Sequence, residues 1–186
     1  MTKVMWKPGT MIYPVPAVMV SCGSVEQNYN IVTVAWTGTV CTDPAMTYIS
    51  LRPSRYSFEI IDTTDEFVIN ITTKKLVRAT DWCGVKSGRE YNKFEEMGLT
   101  PQKGQFVSCP IIKESPINIE CKVVEKKPLG THIMLLAEVL GVQADKEYMD
   151  ENGAFHLDRA EPIAYSHGKY YVLGEQLGHF GYSIKK

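Results

Sequence analysis

NYNIVTVAWTGTVCTDPAMTYISLRPSRYS, residues 28–57, reads as strand, turn, strand and helix start. Residues 31–41 are rich in β-branched and aromatic side chains and run into Thr42-Asp43-Pro44, a strong turn signal. A second strand over 46–51 returns. Arg52-Pro53-Ser54-Arg55-Tyr56-Ser57 then opens a helix, with Ser54 expected as its cap and Ser57 at its third position. Free backbone N–H groups, two hydroxyls and two guanidinium groups thus converge on one point, which is what an anionic phosphate needs.

The other elements follow by the same reading. Residues 17–22 form a first strand, and Phe67-Val68-Ile69-Asn70-Ile71 has the length and composition of a buried one. Thr72 is expected to cap a helix over 73–83 that stops at Gly84 and lies across a barrel opening. Residues 85–106 read as a long loop with a short helical turn near Tyr91-Asn92-Lys93-Phe94, and loops of that length are usually functional. Strands over 117–125 and 131–142 flank a turn at 126–130, a further turn covers 148–153, and 163–173 is a last strand. Six or seven strands with hairpin connections and two helices indicate a mainly β, antiparallel barrel. The 186 residues form one domain, 1–186, large enough for a full core without disulfides or metal.

Composition excludes several classes. With 20 basic and 21 acidic residues the net charge is −1, so nucleic acid is not an expected partner. Five cysteines at wide spacing, with no C-x-x-C pair, indicate reduced thiols and a cytoplasmic setting rather than a disulfide framework or zinc site. Lys3 and Lys7 precede an uncharged run over 8–25 that superficially resembles an export signal, but Pro14 and Pro16 break the helix such a signal adopts. No run reaches the roughly 20 apolar residues of a membrane-spanning helix. The four histidines are scattered with no i, i+4 pair, so no metal site is expected. There is no G-x-S-x-G elbow and no G-x-G-x-x-G after a strand, which leaves any nicotinamide without a Rossmann domain of its own.

The chain resembles the flavin reductase-like proteins with an FMN-binding split barrel, and within them the flavoredoxin branch. The resemblance covers almost the whole chain. It rests on Asn-x-x-Thr-x-Ala-Trp at Asn30, Thr33, Ala35 and Trp36, on Asp43-Pro44, on the run from Ser50 to Ser57, and on Phe67-Val68-Ile69-Asn70. The Gly-x-x-Ser-Gly of Gly84 to Gly88, Asn92-Lys93-Phe94 and Tyr165-x-x-Gly-Lys-Tyr-Tyr complete it.

The resemblance implies a Greek-key-like split barrel with flanking helices, a homodimer, and one noncovalent FMN per subunit near the interface. It implies that the flavin ring lies against Trp36, Thr37, Gly38, Thr39 and Val40, where Gly38 leaves room for an aromatic ring. It places the phosphate at Arg52 to Ser57, among Arg52, Ser54, Arg55, Tyr56 and Ser57, with Asn30, Ser50, Leu51, Cys83, Ser87, Lys93 and His132 as further cofactor contacts. No catalytic side chain and no metal is implied, because the flavin carries the chemistry. The implied activity is that of an FMN oxidoreductase, exchanging electrons with NAD(P)H or with a redox partner protein. A binding module on the same barrel without turnover is the rival.

Taken alone, several of these residues admit plainer roles. Arg55 can pair with Glu59 along the helix, Trp36 can be core, and Lys93 between Glu90 and Glu95 can be a solvated surface lysine. Cys41 and Cys83 lie near the implied site, but no basic neighbour in the sequence supports a reactive thiol.

Overall fold

The computed structural model describes residues 1–25 and 29–184. Strands β1 (Val15–Pro16), β2 (Val18–Cys22), β3 (Asn30–Val34), β4 (Thr37–Cys41) and β5 (Met46–Leu51) precede helix α1 (Tyr56–Thr64). Strand β6 (Glu66–Asn70) leads to helices α2 (Val77–Val85) and α3 (Lys93–Met97). The chain continues through β7 (Pro101–Lys103), β8 (Pro110–Ile112), β9 (Ile117–Pro128), β10 (Ile133–Ala144), β11 (Ile163–Ser166) and β12 (Lys169–Val172).

Seven strands form one antiparallel sheet in the order β3-β2-β6-β9-β10-β5-β4, with the Greek-key character expected of a split barrel. A three-stranded sheet, β1-β11-β12, and the β7-β8 pair complete it. The sheet curls around a core that includes Val20, Val32, Ile49, Phe67 and Leu135 from strands and Phe58 and Ile61 from α1. Each such side chain contributes about 1.5–3 kcal/mol by leaving water.

A second core lies on the opposite face of β2 and β3. Met19 and Ile31 point away from Val18, Val20 and Val32 and pack with Leu76, Ala79 and Cys83 of the α2 region and with Phe94 of α3. Both faces of these strands are therefore buried, and α2 covers the outside of the sheet instead of crossing a barrel opening. Helix α1 instead packs Phe58, Ile60 and Ile61 into the core that the sheet encloses.

Several boundaries differ from the sequence expectation. Residues 31–41 are two strands, because the chain turns a corner at Ala35-Trp36: β3 pairs with β2 and β4 with β5, at opposite ends of the sheet order. The Trp36 carbonyl at the corner accepts from the Ser50 N–H at 2.8 Å. Helix α1 begins at Tyr56 with Arg55, in extended conformation, at its cap; no side chain caps it, and Ser57 is its second residue. Thr72 does not cap a helix either, since its hydroxyl donates to the Ala17 carbonyl while a 3-10 turn, Lys74–Leu76, precedes α2.

Gly84 does not end α2, which runs to Val85. A Cβ there would lie 3.2 Å from the Thr33 side chain, so this glycine permits α2 to press against β3. Residues 163–173 form a hairpin, β11-β12, turning at His167 (φ 47°) and Gly168 (φ 78°) as tight hairpins do. Among the described residues no helix is long and apolar enough to cross a membrane.

Candidate functional site

Strand β3, the segment between β5 and α1, and the loop after α2 meet at one cleft. Its polar end, about 220 Å³, is formed by Asn30, Arg52, Ser54, Arg55 and Ser57, faced by Lys86, Ser87, Gly88 and Lys93. Four cations and three serine hydroxyls converge there, and among the described residues no carboxylate lines it. The start of α1 adds backbone N–H groups and the positive end of a helix dipole.

Lys93 is the least expected member. The sequence places it between acidic residues, yet it is only 3% exposed. Its ammonium donates to the carbonyls of Ile31 and Cys83, both at 2.7 Å. Cys83 lies in the last turn of α2, where carbonyls lack helical partners and the dipole favours a cation. The helix terminus thus holds the charge without a counter-ion, and the third N–H of the ammonium remains for the cleft. Burial, with the nearby Arg55 adding to it, pulls the lysine from 10.5 down to about 8.

Asn30 fixes the opposite wall. Its amide donates to the Ser57 hydroxyl at 2.8 Å, and both residues are buried. Gly88 packs on that amide: a Cβ would sit 2.1 Å from Asn30 Oδ1, so no side chain fits at 88. The loop carrying Lys86, Ser87 and Gly88 is tied to α1 by Arg89. That guanidinium pairs with Glu59, bonds the Ser54 carbonyl at 3.5 Å and lies 5.1 Å from the Tyr56 ring centroid. Glu59 therefore serves Arg89, not Arg55, and Arg55 is left facing the cleft.

Val32, Arg52 and Arg55 also line a second compartment of about 240 Å³, which continues the cleft. Trp36, Tyr13 and Tyr165 give it aromatic walls, with Leu51 and Val34 beneath and His132 opposite. The Tyr13 ring lies 6.3 Å from those of Trp36 and Tyr165 and 4.4 Å from that of His167. Burial, then the Arg52 charge, hold His132 below the usual imidazole range, which keeps it neutral at neutral pH. A slot for a planar, mostly apolar ring thus adjoins a site for a dianion.

Of the residues expected from sequence, Asn30, Trp36, Ser50, Leu51, Arg52, Ser54, Arg55, Tyr56, Ser57, Ser87, Lys93 and His132 line this cleft. Thr37, Gly38, Thr39, Val40 and the Cys83 side chain do not. Thr37 is buried with its hydroxyl donating to the Tyr48 carbonyl at 2.6 Å, and Thr39 and Val40 face outward. An aromatic ring does approach Gly38, but it is that of Tyr48, 3.2 Å from where a Cβ would stand. Cys83 contributes its carbonyl. Its thiol has a basic neighbour after all, Lys93, yet burial outweighs that charge and pushes it up to about 11.

Tyr13, Val32, Thr33, Val34, Ala35, Lys86, Gly88 and Tyr165 are the cleft residues that sequence reasoning missed as contacts. All but Tyr13 stand inside stretches already matched to the family, which was the available signal. Among the described residues no cluster of His, Cys, Asp or Glu is arranged to hold a metal ion.

Comparison with known proteins identifies relatives of this chain. The family profile described as "Flavin reductase like domain" matches residues 10–174. The flavoredoxin of Desulfovibrio vulgaris (Miyazaki F) superimposes with a TM-score of 0.91 at 28% identity, over 99% of this chain and 100% of that one. An uncharacterized protein of Aquifex aeolicus is 30% identical over 168 residues, 87% of this chain and 85% of its own. An NADH-dependent FMN reductase of Streptomyces nodosus subsp. asukaensis is 26% identical over 128 residues, 69% of this chain and 68% of its own. With its curled antiparallel sheet and a match spanning nearly all its length, the chain belongs to the flavin reductase-like family of split-barrel proteins.

Proposed function

We propose that this protein binds FMN in the cleft and works as an FMN-dependent oxidoreductase. The observation that carries this reading is the continuity of an aromatic slot with a cradle that, among the described residues, no carboxylate lines and whose buried lysine rests on two carbonyls. A phosphate monoester brings a charge of about −1.5 to −2 and three acceptor oxygens, which suits that cradle. When bound, the flavin accepts and passes on electrons.

The protein's part is to bind, orient and shield. Arg52, Arg55, Lys86 and Lys93 hold the phosphate, with the serine hydroxyls and the start of α1 as further donors. Trp36, Tyr13 and the aliphatic floor exclude water from the ring compartment. Arg52, shared by both compartments, supplies positive charge beside the ring and favours its reduced, more anionic form. The flavoredoxin and the NADH-dependent FMN reductase among its relatives support a redox role, with electrons arriving from NAD(P)H or from a partner protein. We assign it to a homodimer, since Trp6, Ile12, Leu177 and Phe180 on the terminal arms are all more than 70% exposed and suit burial against a second copy.

The test begins with titration of the purified protein with FMN and with riboflavin, followed by visible absorbance, and continues with anaerobic NADH, NADPH and dithionite. FMN should bind more tightly than riboflavin and be reduced while bound. Equal affinity for both flavins removes the phosphate cradle, and bound FMN that no donor reduces leaves a binding module. Sedimentation should give about twice 20.9 kDa.

A further inference from the structure

Away from the cleft, the start of α2, the end of α3 and the turn after β8 enclose a hollow of about 490 Å³, within the roughly 300–1,000 Å³ of small-molecule sites. Its floor is apolar. Leu76, Ala79 and Leu99 are buried members of the second core, and half-buried Met97 packs against that core. Its rim carries both signs of charge, each on elements of its own. Lys75 comes from the 3-10 turn and Arg78 from the first turn of α2, whereas Glu96 comes from α3 and Glu114 from the turn after β8.

Although these four charges line one hollow, among the described residues none of them takes part in an ion pair. The fold holds the two signs apart. Leu76 and Ala79 anchor the cationic side in the second core, and the adjacent Lys74 is tied to Glu161 at 2.9 Å. On the acidic side both Glu114 oxygens accept the Thr100 N–H, at 3.0 and 3.1 Å, and Gly98 at φ 62° ends α3. A complementary ligand therefore carries a carboxylate and an ammonium with an apolar body between them. The planar fork of Arg78 matches a carboxylate, with Lys75 as a second donor, and Glu96 and Glu114 keep acceptor lone pairs for an ammonium. A free α-amino acid holds both charges on one carbon and reaches one side at a time. Two linked residues span roughly 7 Å and lay two side chains on the floor.

We propose that this hollow binds a short apolar peptide with free ends, its carboxylate on Lys75 and Arg78, its ammonium on Glu96 and Glu114, and its side chains on Leu76, Ala79 and Leu99. Among the described residues the hollow shares no lining residue with the cradle or the ring compartment, so the proposal stands independently of flavin binding. Isothermal titration of the full chain with dileucine tests it, beside leucine, N-acetyl-dileucine and dileucine amide. Dileucine should bind saturably. Blocking either of its ends, or replacing its partner by Arg78→Gln or Glu96→Gln, should weaken binding about tenfold, the loss of one charge-assisted contact. Both variants should melt at the wild-type temperature, which separates a lost contact from a lost fold. Should either fail to fold, the blocked peptides on the wild-type protein decide alone. Failure of dileucine to bind at millimolar concentration, leucine binding as tightly as dileucine, or wild-type affinity for a blocked peptide or in a folded variant overturns the site.

Discussion

If FMN binds as proposed, Lys93 makes its affinity depend on pH in a direction that the structure sets. The ammonium is buried on two carbonyls, and its drop from 10.5 to about 8 corresponds to about 3 kcal/mol of charge burial borne by the ligand-free fold. Since the folded value lies below the unfolded one, that cost is fully present below pH 8 and is relieved as pH rises from 8 towards 10.5. A phosphate dianion in the cradle reverses the balance by favouring the charged form. The lysine's contribution to FMN binding is therefore complete below pH 8 and lost above it. If bound phosphate lifts the lysine by about two pH units, affinity falls about tenfold between pH 7 and 9. Isothermal titration with FMN across that range measures it, and riboflavin, which lacks the phosphate, should give a flat profile. Lys93→Met should flatten the FMN profile and lower affinity at pH 7 by about ten- to a hundredfold, the loss of one charge-assisted hydrogen bond. Stability should change less, because the two carbonyls left unpaired cost about 1–3 kcal/mol each while the buried charge is relieved. A wild-type FMN profile that stays flat from pH 7 to 9 would refute the placement of Lys93 against the phosphate.

Three further outcomes are expected. Arg55→Ala should weaken FMN by about ten- to a hundredfold and move the fall in affinity to higher pH, since the lost guanidinium is one of the charges that hold Lys93 down; wild-type affinity in that variant would place Arg55 on the outer helix surface. Gly88→Ala, whose Cβ would stand 2.1 Å from Asn30 Oδ1, should displace the Asn30–Ser57 hydrogen bond and lower both thermal stability and FMN affinity, as thermal melts with and without FMN would record. In native protein at pH 8 a thiol reagent should label Cys41 alone of the five cysteines. Burial pushes Cys22 and Cys121 up to about 12 and Cys83 to about 11, and raises Cys109 as well, so rapid reaction of a second thiol would contradict the packing.

The convergence of cations and hydroxyls was legible wherever local chemistry carried it. Arginines and serines clustered beside a helix start can be read without tertiary information, and the strands announced themselves by β-branched runs between turn signals. What stayed hidden were tertiary facts. Lys93-Phe94-Glu95-Glu96 has the composition of a solvated turn, and only the second core, which draws Phe94 inward, carries Lys93 under the cleft. The corner at Ala35-Trp36 was invisible because both halves of 31–41 have the same strand-like composition, and what divides them is the change of pairing partner. Gly84 was read as a stop because a late helical glycine usually is one; here its missing side chain lets α2 approach β3. Ser54 was placed one residue too early to cap α1 because several adjacent residues suit a helix start equally well, and Arg55 takes the position.

The same packing explains how the cradle holds four positive charges with no carboxylate on its lining among the described residues. A carboxylate there would steady the cations, but it would also repel the phosphate and have to be displaced from its partners for the ligand to bind. The fold puts its stabilising groups where they do not compete. Lys93 rests on the Ile31 carbonyl and on the free carbonyl end of α2, which supply partial negative charge from behind and leave the front of the ammonium open. Asn30 holds Ser57 by a neutral hydrogen bond, and a nearby ion pair, Arg89 with Glu59, ties the loop to α1 without placing Glu59 on the lining. Dipoles carry the electrostatic load inside the cradle and full charges carry it outside. The ligand-free cleft is thus left with uncompensated positive potential, which a phosphate neutralises without first breaking a salt bridge.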